Sequence, residues 1–200
     1  MENTQVQKIK DKPPLIAPAK FNIILIMMSS SMLFAAFLSA FMVHQPDAKA
    51  KETWTYFDLP VFFLVSLVIA ALSSVTMVLA KRAGAADELG KLKTFIFATL
   101  MLGLAFCVSQ YLGWQQLVEM GLTFVNPRPE DISASYVWVI TVVHVVHVLG
   151  GIILLFIALV KSFKMQIHKK QMTFLSVTNT YWHFVGFLWF ILYLFLYFAR

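Results

Sequence analysis

Long charge-free apolar runs alternate with short charged segments along this chain. Residues Phe21–Pro46, Leu59–Ala80, Thr94–Val118, Ile132–Val160 and Gln171–Ala199 contain no Asp, Glu, Lys or Arg, and each runs 22 to 29 residues. Crossing ~30 Å of hydrocarbon as an α-helix takes ~20 residues, so every run is long enough to span a membrane. Open strands in lipid would leave backbone groups unpaired, which leaves helix as the choice. The pattern predicts an all-α, polytopic membrane protein: a polar arm over residues 1–20 and a five-helix transmembrane domain over 21–200. Every connection is short, so sequential helices are expected to be antiparallel neighbours.

Local signals refine the ends. Pro46 is expected to stop the first span, leaving Trp54 and Tyr56 in a loop suited to a membrane interface. Pro60 precedes the second span, where a missing N–H costs little. That span ends in "ALSSVTMVLA", whose small and hydroxylated side chains favour close packing against protein. The arm, with Pro13, Pro14 and Pro18, lacks the apolar core of a secretory signal.

Composition agrees: 60% of the 200 residues are hydrophobic and 13% are charged, too few charges to cover a soluble domain of this size. The net charge of +6 is informative by position. Twelve Lys and Arg flank the arm and the second and fourth loops, against four in the first and third loops and at the C-terminus. The positive-inside rule then puts the N-terminus in the cytoplasm and the C-terminus outside. Topology accounts for the basic character without nucleic-acid binding. Cys107, the single cysteine, excludes internal disulfides and cysteine metal clusters.

Polar side chains inside the spans are few. Ser29–Ser31 lie in the first, Ser109 and Gln110 in the third, His144 and His147 in the fourth, and Asn179 and His183 in the fifth. Desolvation should turn them toward the bundle interior. His144 and His147, three residues apart, share a helix face. At 1.5 Å per residue His147 and His183 reach similar depth, roughly 18 to 20 Å from one face, so a direct or water-mediated hydrogen bond between them is feasible. Three readings stand for these histidines: helix-to-helix hydrogen bonding, metal or haem ligation, and a proton wire. No span contains Asp or Glu, which favours the first, and Gly150 and Gly151 support close packing. The aromatic load of the fifth span reads as bulk turned toward lipid and the interface.

Four stretches in order resemble a known family. "YWHFVGFLWFILYLFLYF" resembles the last helix of subunit III of haem-copper respiratory oxidases, and "HVVHVLGGIILL" resembles its His-rich helix. "QYLGWQQL" and "MMSSSMLF" occupy the places of helices that carry acids in that family. Five helices is a form of subunit III without the two N-terminal ones. Where the family has intramembrane acids, this chain has Ser30, Gln110 and Gly186. The resemblance implies an accessory, cofactor-free subunit of a terminal oxidase in a bacterial cytoplasmic membrane. By the same resemblance, haem and copper reside in partner subunits, subunit I is the neighbour, and phospholipid is bound. No residue is assigned to catalysis or metal; Ser30, Gln110, His144, His147 and His183 are expected to hold the bundle together. Two alternatives are a nitric-oxide-reductase-associated homologue and a small transporter, although no inverted repeat supports the latter.

Overall fold

A computed structural model describes residues 18–52, 54, 58–124, 133–165, 167 and 172–199. These form five helices and, among the described residues, no strand: α1 (Pro18–Ala50), α2 (Val61–Ala85), α3 (Leu89–Glu119), α4 (Ser133–Phe163) and α5 (Thr173–Ala199). All five are long and apolar enough to cross a membrane, at 25 to 33 residues each. The chain is a multi-pass membrane protein. Most of the arm, Tyr56, and the third loop's prolines and Arg128 lie outside the described residues. Helix α1 begins at Pro18, inside the expected arm, because proline tolerates a first-turn position where no N–H bond is required.

Pro46 does not stop α1, contrary to expectation. The helix continues to Ala50, and Lys51 N–H still bonds the Asp47 carbonyl at 3.1 Å. Proline removes one bond, to the carbonyl of Met42, on a flank where Met42 and Val43 are exposed and nothing packs against the ring's clash.

Buried positions follow a heptad spacing of alternating three and four. In α2 they include 63, 66, 70, 73, 77, 80 and 84; in α3, 92, 96, 99, 103, 106, 110, 113 and 117; in α5, 175, 178, 182, 185, 189, 192 and 196. A 3.5-residue repeat keeps one seam facing its neighbours and is the spacing of left-handed bundles crossing near +20°.

Helices α2 to α5 close a ring, each packing on the next and α5 returning to α2. The α2–α3 hairpin is tight: Asp87 takes a positive φ of 60° as the chain reverses, and Glu88 N–H reaches back to the Ala83 carbonyl at 2.9 Å. At the far end of α3, Gly121 (φ 81°) provides the left-handed residue that lets Leu122 N–H bond the Leu117 carbonyl.

Helix α1 breaks the expected neighbour order. It packs on α4 and α5 and makes no contact with α2. Its buried side chains, Ile23, Ser30, Phe34, Phe41 and Ala48, make a single narrow stripe. The loop after it does not hold it against α2, because the α2 seam is already filled by α3 and α5. At the end of α1, Phe41 meets Trp54, Tyr136 and Phe195 edge-on at 5.1 to 5.6 Å, and Gln45 donates to the Ala199 carbonyl.

Candidate functional site

The polar side chains of the spans fall into separate places on the seams. Gln110 of α3 is fully buried and donates to Ser66 of α2 at 2.8 Å; beside it Ser109 donates to the Phe62 carbonyl at 2.8 Å. About three turns further along, Thr76 and Thr99 share a hydrogen bond of 2.8 Å. These bonds join α2 to α3 at three levels.

His147 lies between α1, α4 and α5. Its Nδ1 lies 2.8 Å from the Val143 carbonyl, and since a carbonyl only accepts, Nδ1 carries the proton. In the neutral ring Nε2 then accepts from the Ser30 hydroxyl, 3.1 Å away. Ser30 Oγ is also 2.8 Å from the Ile26 carbonyl, so one hydroxyl proton serves two acceptors in turn. The Tyr181 hydroxyl donates to the backbone carbonyl of His147 at 3.1 Å, adding α5 to the junction. His147 therefore bonds Ser30 rather than His183, correcting the expected histidine pair.

His144 is fully buried and stacks on Trp189 (5.1 Å between centroids, 25° between planes), with Phe34 and Phe106 edge-on at 6.2 and 5.9 Å. Neither ring nitrogen has a hydrogen-bond partner among the described residues. No group among the described residues bonds His144, which was expected to hold helices together by hydrogen bonding; its ring fills an aromatic box. His183 is half-buried and faces a groove between α2 and α5, lined also by Ser74, Gly186 and Phe187. Heptad phase explains all three. His144 lies on the α4 seam (137, 140, 144, 148, 151), His147 one position before it, and His183 next to the seam residue Trp182.

Trp182 was expected to face lipid, as was Trp189, yet both are buried. The Trp182 indole enters from α5 between Gly103 of α3 and Gly151 of α4. A Cβ at Gly103 would sit 2.8 Å from its Cη2, and one at Gly151 would sit 3.0 Å from its Cε3 and Cζ3. Its Nε1–H donates to Ser73 of α2 at 3.2 Å, so one side chain touches all four helices of the ring. Trp114 of α3 likewise donates to Thr141 of α4 at 3.0 Å. Phe187, Phe198 and Tyr197 are exposed, as expected of lipid-facing bulk. The 182–185–189 spacing in the sequence was the signal that could have separated the two sets.

As metal ligands these groups fit poorly. His147 already engages both ring nitrogens, and His144 is walled by three rings. Among the described residues no three His, Cys, Asp or Glu side chains gather as a metal-binding group.

Comparison with known proteins bears on the same residues. The family model described as cytochrome c oxidase subunit III matches residues 10–200. Similar proteins include cytochrome c oxidase subunit 3 of Corynebacterium diphtheriae, 24% identical over 84% of this chain and 82% of that protein. Probable cytochrome c oxidase subunit 3 of Mycobacterium tuberculosis is 29% identical over 88% and 86%. That of Mycobacterium leprae is 30% identical over 86% and 84%. Neither the nitric-oxide-reductase nor the transporter alternative gains support from these names. The chain belongs to the cytochrome c oxidase subunit III family and is an accessory subunit of a haem-copper oxidase, one member of a complex with other subunits.

Proposed function

We propose that this chain carries no redox centre and serves the oxidase by packing beside its catalytic subunit I in the bacterial cytoplasmic membrane. Haem and copper are held by the partner subunits, and this subunit supports assembly and sustained oxygen reduction. One observation carries the reading. The Gln110 amide N–H, Ser30, His147 and Ser73 all take part in bonds between helices, which commits them to holding the bundle. The distribution of Lys and Arg supports a cytoplasmic N-terminus.

Phospholipid belongs to the same proposal. The α2–α5 groove has about 550 Å³ of space, apolar walls at Leu67, Val68, Phe187 and Phe190, and a polar end at Ser74 and His183. Lys81 lies about two helical turns beyond Ser74 on α2. An acyl chain suits the walls and an anionic headgroup suits that end. The test is to purify the oxidase from membranes with and without this chain. The expected result is an unchanged haem spectrum with activity that decays faster during turnover. A lost haem band, or equal decay, sinks the proposal.

A further inference from the structure

At the centre of the helix ring, between α2, α3, α4 and α5, lies a cavity of about 20 Å³. A water molecule needs ~10–15 Å³ and two to four polar partners, so there is room for a water. Its walls include Ala70, Val148 and Val185, but also Ser73, His144 and Trp189. His144 and Trp189 are both fully buried, and the two nitrogens of His144 and Nε1 of Trp189 have no partner among the described residues. Orphaned nitrogens on two residues that line one small cavity would be a heavy desolvation cost if nothing met them.

We infer that this cavity is a binding site for a single resident water molecule, held by His144, Trp189 and Ser73. One water meets three of these groups, the protonated nitrogen of His144 being the one it does not serve. Trp189 Nε1–H is a donor only, which the water accepts. A neutral imidazole has one unprotonated nitrogen, to which the water donates. Ser73 Oγ already donates to the Ala70 carbonyl at 2.8 Å and accepts from Trp182 at 3.2 Å, leaving a second lone pair for the water's other hydrogen. The water joins α2, α4 and α5 at the level where Trp182 already joins all four helices. An apolar gas of similar size would leave every one of these groups unmet.

The direct experiment is a density map of the complete oxidase, purified from native membranes, at a resolution where other buried waters are visible. A discrete non-protein peak within hydrogen-bonding distance of His144 and Trp189 is the expected result. A clear cavity with no peak, while waters of equal burial appear elsewhere, overturns the assignment. His144→Leu in the same complex gives an independent reading. With a water in place, the substitution strands the water and Trp189, and the melting midpoint falls by about 2–4 °C. An unchanged or higher midpoint means the cavity was dry and the histidine a burden, which also overturns it.

Discussion

Trp182 fixes the depth and rotation of α5 because its indole fits only where Gly103 and Gly151 leave their helices bare. Gly103→Ala should therefore cost about 1–3 kcal/mol through overpacking, read as a lower midpoint of detergent unfolding. Gly150→Ala is the control: a Cβ there meets only the Tyr181 hydroxyl at 3.5 Å, and its stability should match the parent. The Ser30–His147 bond makes a second prediction. Ser30→Ala should cost about 0.6 kcal/mol, up to about 1.7, as interhelical bonds in bilayers do. Combined with His147→Leu, the two losses should fall short of their sum, since both remove one interaction. Haem absorbance should stay unchanged in all of these variants; a lost band would mean His147 touches a cofactor. At this scale the sequence picked out the polar residues of the spans, but His147 bonds Ser30 and not His183. Depth along the helix put His147 level with His183, whereas rotation about the axis decides contact, and rotation is set by the heptad phase of Trp182 and Val148.

Among the helices, α1 differs from the other four. It buries one stripe, leaves Met32 (73% exposed) and Val43 (71% exposed) on its free faces, and touches only α4 and α5. Its backbone should be the first to open. In detergent, amides of residues 24–40 should exchange hydrogen faster than those of residues 96–113, whose helix is held from both sides. Equal protection would mean that the ring and α1 unfold as one unit. The five elements themselves were readable from charge-free runs alone, to within a few residues at most ends. Two features were not. Pro46 lies within α1 because local proline cost is small on an unpacked flank, and the separation of α1 from α2 depends on competition for the α2 seam, which no local pattern records.

For the whole molecule, the two ends of the bundle differ in character. Lys93 and Lys161 lie over the rings of Phe163 and Phe174, at 5.2 and 4.0 Å, at the end that also holds the α2–α3 turn. This is the basic end, and the proposed topology turns it toward the cytoplasm. Cysteine placed at Glu88 should then resist a membrane-impermeant maleimide in cells with an intact cytoplasmic membrane, while cysteine at Asp58 should react; the reverse labelling would invert the topology. Order of synthesis adds a further consequence to the way α1 is attached. Ser30 and His147 are 117 residues apart, so at ~5–20 residues per second α1 enters the bilayer roughly 6–23 s before the helix it binds has been made. During that interval the ribosome has released a transmembrane segment whose stripe from Ile23 through Ser30 to Ala48 has no mate. The Ser30–His147 junction can therefore close only once α4 has been made, and α1 crosses that interval with its stripe uncovered.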